Sequence, residues 1–282
     1  MKFATTILGA ALGAFLSMAA SAAPIPLPPG FLQLSDNDAE YLINSDGSRC
    51  TSGVAPDCTV DVGDRLHGIF DIQSIEGLNP PSTANTPFGG NELTGIFDIT
   101  VTSKTLVGTN WIFTFTPTGN LGNGGAGIVM YYDPLQDYER VGCATVAICE
   151  ATATNGSVWM AFGFTDATNF WVSSSPTDNI ALIGAQTPPG EVGSYNASLN
   201  ILVNNSGYTF TPKLCTILGT PFSDVSDACA SGGLVGIAGI DTPFDSFSNV
   251  DFTLKRTVPE PASLALLGLG LAVVGFARRK LG

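Results

Sequence analysis

Trp111-Ile112-Phe113-Thr114-Phe115-Thr116 decides the fold class. Trp111, Phe113 and Phe115 recur at every second position, so an extended segment puts all three rings on one face. Ser198-Leu199-Asn200-Ile201-Leu202-Val203 alternates in the same way, with Leu199, Ile201 and Val203 on one side. Val158–Phe164 and Phe247–Leu254 give two further candidate strands. Turn signals separate such runs: Asn79-Pro80-Pro81, Pro117-Thr118-Gly119-Asn120, Thr187-Pro188-Pro189-Gly190 and Asn205-Ser206-Gly207. No long stretch of 3.6 period occurs between the two ends of the chain; at most Asp36–Ile43 suggests one short turn of helix. Many short strands with Gly and Pro punctuation predict an all-β fold, an antiparallel β-sandwich or jelly-roll-like domain. An internal boundary, if the chain has one, belongs at 119–127 or 184–193.

One segment occurs twice. Gly63-Asp64-Arg65-Leu66-His67-Gly68-Ile69-Phe70-Asp71-Ile72 matches Gly90-Asn91-Glu92-Leu93-Thr94-Gly95-Ile96-Phe97-Asp98-Ile99, offset by 27 residues. Two copies are too few for a solenoid. They predict two related strands, neighbours in space, with Leu66, Phe70 and Ile72 on the core face and His67, Ile69 and Asp71 on the other. A paired ligand ridge made by Asp71 and Asp98 is the functional alternative.

The 282 residues carry 11 Lys and Arg against 24 Asp and Glu. Lys2, Arg278, Arg279 and Lys280 lie in the terminal segments, leaving 7 cations against all 24 acids between them, a net charge of −17. Phosphate binding needs clustered cations, so a nucleic-acid partner is excluded. Anionic polysaccharide is repelled unless a divalent cation bridges the two. Charged residues make up only 12% of the chain. Amides and hydroxyls supply the remaining polarity, which suits contact with sugars.

Six cysteines remain outside the terminal segments: Cys50, Cys58, Cys143, Cys149, Cys215 and Cys229. An even number in an exported chain reads as disulfides, with fifteen pairings open. The spacing suggests three local loops, Cys50–Cys58, Cys143–Cys149 and Cys215–Cys229. Zinc is a poor fit, since the chain has no C-x-x-C and one histidine.

Both ends read as targeting segments. Met1-Lys2 is a small basic start, Phe3–Ala20 is apolar and small, and Ala20-Ser21-Ala22 is a cleavage site before Ala23, so residues 1–22 are expected to be a signal peptide helix. At the other end, Val258-Pro259-Glu260-Pro261 precedes an uncharged apolar run within 262–277, and Arg278-Arg279-Lys280 follows. The two prolines hold Glu260 on an extended segment. The 14 residues Leu264–Ala277 rise roughly 21 Å as a helix, short of the ~30 Å hydrocarbon core. The cations keep that end on the cytoplasmic side. The tail resembles the PEP-CTERM proteins of Gram-negative bacteria. That resemblance implies signal peptidase and exosortase as partners during export, transient membrane anchoring by the unprocessed C-terminal helix, and final residence at the cell surface or in an extracellular polysaccharide matrix. The chain then divides into a signal peptide (1–22), a β-rich extracellular domain (23–256) and a sorting tail (257–282).

Catalytic signatures are sparse. His67 is the single histidine, and neither a Gly-x-Ser-x-Gly elbow nor H-E-x-x-H occurs. Gly122–Gly127 spells G-x-G-x-x-G, but Ile128–Tyr132 after it reads as a strand, so no helix is placed to hold a pyrophosphate. No cofactor is expected, calcium excepted. Asp36-Asn37-Asp38-Ala39-Glu40 begins like a calcium loop, although Tyr41 stands where glycine is needed. Asp57, Asp61 and Asp64, and Asp133, Asp137 and Glu139, are further acidic groups. Trp159, Trp171 and Tyr195 are candidates for stacking on sugar rings, and one of Tyr131 and Tyr132 must face outward in a strand. The expectation is a structural or adhesive matrix protein without catalysis. A carbohydrate-binding module, assisted by calcium, and an extracellular hydrolase are the alternatives.

Overall fold

The computed structural model describes residues 25–50, 58–79, 81–82, 90–140, 142–185, 191–217, 220–235 and 242–257. The signal segment and the sorting motif with its apolar run lie outside the described residues. In chain order the strands are β1 (Gly30–Ile43), β2 (Arg65–Asn79), β3 (Pro81–Ser82), β4 (Glu92–Val107), β5 (Asn110–Pro117), β6 (Ala126–Asp133), β7 (Ser157–Gly163), β8 (Phe170–Ser175), β9 (Glu191–Asn204), β10 (Lys213–Ile217), β11 (Thr220–Ser226), β12 (Ala228–Val235) and β13 (Ser246–Arg256). Two short helices interrupt them, α1 (Val146–Ala153) and α2 (Ile180–Gly184).

The main sheet closes on itself. Following its hydrogen bonds gives the order β2-β1-β13-β12-β9-β7-β6-β4, and β4 pairs again with β2, every contact antiparallel. The result is an eight-stranded barrel, in which no strand of the ring is left with an unpaired edge. The expected sandwich or jelly roll, two sheets with free edges, is therefore replaced by one closed sheet. The alternation that predicted strands was correct, but alternation does not say whether the last strand returns to the first. Long strands make the closure. β4 pairs with β6 through Glu92–Phe97 and with β5 through Ile99–Val107. β9 pairs with β8 through Ser194–Ser198 and with β7 through Asn200–Asn204. The wall between β4 and β9 thus divides, with β6 and β7 spanning it at one end and β5 and β8 at the other. Strands from both sides of 119–127 and of 184–193 share this sheet.

Asp36–Ile43 is not helical; it is the second half of β1. Its acids concealed the period of two. Leu32, Leu34, Asp36, Asp38, Glu40 and Leu42 occupy one face of the strand, the buried one. The two copies of the repeat are neighbours, as expected: β2 and β4 pair with Gly68 opposite Phe97, Ile69 opposite Ile96 and Phe70 opposite Gly95. Each phenylalanine therefore lies over the glycine of the other copy. A Cβ on Gly68 would come within 2.3 Å of the Phe97 ring, and one on Gly95 within 2.2 Å of the Phe70 ring. Phe70 and Ile72 join the main core with Leu32, Phe162 and Phe252, and Leu66 packs against it. The opposite face is covered too. Ile69, Ala39, Tyr41 and Phe247 form a second cluster with Cys149 and Ala153 of α1.

All three local disulfides are present: Cys50–Cys58, Cys143–Cys149 and Cys215–Cys229. Cys215–Cys229 laces the β10–β11 hairpin to barrel strand β12. Gly122–Gly125 lie in the connection between β5 and β6, which both pair with β4 and not with each other; Gly122, Gly124 and Gly125 take positive φ there, and a strand, not a helix, follows, so this is no phosphate loop.

Candidate functional site in the barrel interior

Three carboxylates point into the barrel. Asp36, Asp38 and Glu40 follow one another on the inner face of β1, each no more than 3% exposed. Strand geometry brings residues i, i+2 and i+4 to the same side, so an alternating acidic run becomes a ladder of like charges. The neighbouring strand β13 answers with hydroxyls and an amide. The Val250 N–H donates to Asp36 Oδ1 at 2.9 Å, and Ser246 Oγ donates to Glu40 Oε2 at 2.9 Å. Ser248 Oγ lies 2.9 Å from Asp38 Oδ2 and 2.6 Å from Glu40 Oε1. A serine hydroxyl carries one proton, so only one of these contacts can be its donation. The other needs a proton on a carboxyl, or weakens.

The electrostatics point the same way. Burial is the main cause that pushes Asp36 and Asp38 well above the usual carboxylate range; the charge of Asp38 adds to this for Asp36, and that of Glu40 for Asp38. Burial raises Glu40 as well, against the pull of Ser248 and Ser246. Tyr195, inward from β9, is raised by burial and then by these same acids. With every acid ionised, Asp36 Oδ2, Asp38 Oδ1 and the Tyr195 hydroxyl have no hydrogen-bond partner among the described residues; a proton shared between Asp36 and Asp38 would join those two, and Tyr195 lies within reach of Ser248. Such orphaned buried atoms are uncommon in folded proteins.

Asp38, Glu40 and Tyr195 border a cavity of about 60 Å³. Its remaining wall is mostly apolar, with Phe97, Phe113, Phe115, Trp171, Ile180 and Ile183 prominent. It lies at the end of the barrel spanned by β5 and β8. Phe97 and Trp171 approach with ring centroids 5.9 Å apart. α2 packs against β12 and β13 and contributes the two isoleucines. Its start is held by the segment after Cys58: Val60 N–H donates to the Asp178 carbonyl at 2.7 Å, and Ile180 N–H to the Cys58 carbonyl at 2.9 Å. The Cys50–Cys58 bridge thus steadies one rim of the cavity. Among the described residues no Lys or Arg lines it.

The other expected residues fall elsewhere. Asp36, Asp38 and Glu40 are not a calcium loop, because a strand sends the intervening Asn37 and Ala39 to the opposite face. Trp159, Trp171 and Tyr195 are 5, 8 and 5% exposed, so none offers an outward platform for a sugar. Of the adjacent tyrosines, Tyr132 packs on the main core and Tyr131 on a smaller outer cluster. Asp61 pairs with Lys104 at 2.8 Å, and Asp64 accepts from the backbone N–H groups of Ser45 and Asp61. Asp57 lies outside the described residues. Asp133 and Asp137 do come together, with Glu92 in place of Glu139; carboxylate oxygens of the three lie within 4.8 Å of one another. Among the described residues this trio has the spacing a hard cation needs. Burial raises Glu92 to about 7, with Asp137 and Asp133 adding to it.

His67 is buried outside the barrel, beneath α1. Its Nε2 lies 3.0 Å from Glu150 Oε1, which also accepts from the Tyr41 hydroxyl at 2.8 Å. Its Nδ1 lies 3.8 Å from Asp98 Oδ1, and Arg65 Nε donates to the same oxygen at 3.1 Å. Burial pushes the His67 pKa down, but Asp98 and Glu150 outweigh it and leave it raised. Asp71 faces Thr94 across the pair and not Asp98, so the two aspartates form no ridge.

Residues 257–280 match the PEP-CTERM protein-sorting motif, as the tail suggested. The motif implies export and exosortase-mediated processing. The comparison with curated proteins gave no match. Among solved structures, an acetoacetate decarboxylase from Legionella pneumophila pairs with 91% of this chain and 98% of its own, at 9% identity and a TM-score of 0.17. At that score the likeness carries no argument about fold or activity. No helix among the described residues is long and apolar enough to cross a membrane.

Proposed function

We propose that this is a surface-displayed structural or adhesive protein of the extracellular polysaccharide matrix, delivered by exosortase and without catalytic activity. The sorting motif carries the reading. Its position supports it: β13 ends at Arg256, and the last described backbone contact is Thr257 N–H to the Thr209 carbonyl. A cut beyond Val258 removes the membrane-directed tail and leaves the pairing of β13 with β1 and β12 untouched. Delivery and folding are therefore separable, which a removable anchor requires. Three disulfides suit an oxidising exterior. The non-catalytic part is supported by His67, whose two nitrogens face carboxylates beneath α1 and whose side chain is 10% exposed. The sugar-stacking alternative is weakened by the inward turn of its aromatics.

Mass spectrometry of the protein extracted from the native cell surface tests this. The expected product ends before Arg278 and carries three disulfides. A product that retains Arg278-Arg279-Lys280 in membranes refutes exosortase delivery. Turnover on a panel of polysaccharides, lost in His67→Ala, refutes the absence of catalysis.

A further inference from the structure

We propose that the barrel interior binds a small organic cation, an alkylammonium headgroup seated between the carboxylates of Asp38 and Glu40 and the rings of Phe97, Phe113, Phe115 and Trp171. The site differs from the sorting tail, and the inference does not depend on it.

Charge comes first. Three carboxyl groups share the inner face of β1, two of them, Asp38 and Glu40, line the cavity, and among the described residues no cationic side chain does. Of the lining groups, Asp38 Oδ1 and the Tyr195 hydroxyl have no partner among the described residues while the acids are ionised. Negative charge buried this way needs a proton or a positive guest. The walls then select the guest. Calcium takes six to eight oxygen ligands, whereas most residues of this lining present carbon. Aromatic faces attract ammonium ions instead, and more strongly where water is excluded. Two acids, a few hydroxyls and a wall rich in aromatic and aliphatic carbon together suit an alkylated nitrogen. Size agrees. At about 60 Å³ the cavity exceeds the minimum of about 10–15 Å³ that a single water needs, which leaves room for a small headgroup. Thr177, half-buried in the segment before α2, lines the cavity.

The test is titration of the intact protein with methylammonium and tetramethylammonium chlorides, and with tert-butanol as a neutral control. Calorimetry gives affinity, and the NMR signal of the Trp171 indole reports the cavity wall without any substitution. The expected result is saturable binding of at least one ammonium, with a shift of the Trp171 indole and no response to the alcohol. Glu40→Gln and Asp38→Asn should each weaken binding about tenfold, the loss of one charge-assisted contact. An unmoved indole with both ammonium ions overturns the proposal. So does equal binding of the alcohol, or the same shift produced by calcium chloride.

Discussion

Gly95→Ala tests whether the repeated segment is a packing device. The backbone at Gly95 does not have positive φ, so alanine meets no conformational barrier there. Judged by backbone alone, the change should stabilise by about 0.4–1 kcal/mol, by narrowing the unfolded ensemble. The sterics oppose it. The new Cβ would sit 2.2 Å from Phe70 Cζ and 2.6 Å from Cε2, far inside van der Waals contact. Phe70 has little room to retreat: it is 1% exposed, and Phe252 stands behind it with ring centroids 6.0 Å apart. Overpacking of a filled core costs about 1–3 kcal/mol. Sterics win, and the net expectation is a loss of about 1–2 kcal/mol. For a domain of this size that lowers Tm by about 2–8 °C. The assay is reversible denaturation followed by circular dichroism, run as a double-mutant cycle with Phe70→Leu. Shortening the ring should remove most of the penalty, so the double variant should be more stable than the sum of the single effects by about 1 kcal/mol. The mirror variant Gly68→Ala, 2.3 Å from Phe97, should behave alike. A neutral or stabilising Gly95→Ala, or strict additivity with Phe70→Leu, would refute the reciprocal Gly–Phe packing.

Stability should be greatest in mild acid. Burial raises Asp245 to about 6, against the Leu42 N–H and Arg49, so between about pH 4 and 6 the folded state keeps a proton that the unfolded chain releases. Stability therefore falls as pH rises through that window. At about 1.4 kcal/mol per pKa unit the change is about 3 kcal/mol, and Asp245→Asn should flatten a urea-denaturation profile by that amount. Asp71, also raised to about 6 by burial, and His67, raised on balance, act in the same direction, His67 at higher pH. A profile that climbs from pH 5 to 8 contradicts these assignments. Below pH 4 the sign reverses: burial alone would raise Asp98, but His67 and Arg65 hold it down to about 2, and that stabilisation disappears as the pH approaches 2. Replacing both Cys215 and Cys229 by serine opens a loop with a sequence separation of 14, and should cost about 3 kcal/mol by calorimetry while the barrel still folds. Loss of folding would mean that the β10–β11 hairpin is part of the barrel's cooperative unit and not an appendage.

Where the residue pattern and its physical cause coincide, the strands were legible. Trp111–Thr116, Val158–Phe164, Ser198–Val203 and Phe247–Leu254 all lie within strands or at their ends, because alternating apolar side chains report directly on a half-buried pleat. The pairing of the two repeat copies was legible for a related reason: a self-matching segment can pair with itself antiparallel. β1 was not. Its inner face reads Leu-Leu-Asp-Asp-Glu-Leu, and an alternation test that assigns acids to solvent inverts half of that face. The buried acids could have been found by asking which acids repeat at i, i+2 and i+4 beside Leu32 and Leu34. α1 and α2, of eight and five residues, were invisible because neither is long enough to show a helical period. The cation-spaced trio needed Glu92, 41 residues before Asp133, and only the pairing of β4 with β6 brings them opposite each other.

Closure also explains why the polar ladder sits where it does. The ring is closed by backbone pairing from strand to strand, and the ladder adds to it at the Val250 N–H, which bonds to Asp36. The ladder's own partners come from one adjacent strand, β13, and they number too few protons for three ionised acids. Filling the space with leucine, as at Leu32, Leu34 and Leu42 on the same strand, would meet the packing needs of a barrel. A chain that instead carries acids at three successive inner positions of β1, beside a cavity walled by aromatic rings, has accepted a destabilising choice at the place where a guest would offset it. Substituting all three with apolar residues should therefore raise the stability of the empty barrel at pH 8, measured by guanidinium denaturation. If the triple variant is instead less stable at that pH, the acids are structural, and the interior is simply a hydrogen-bonded core.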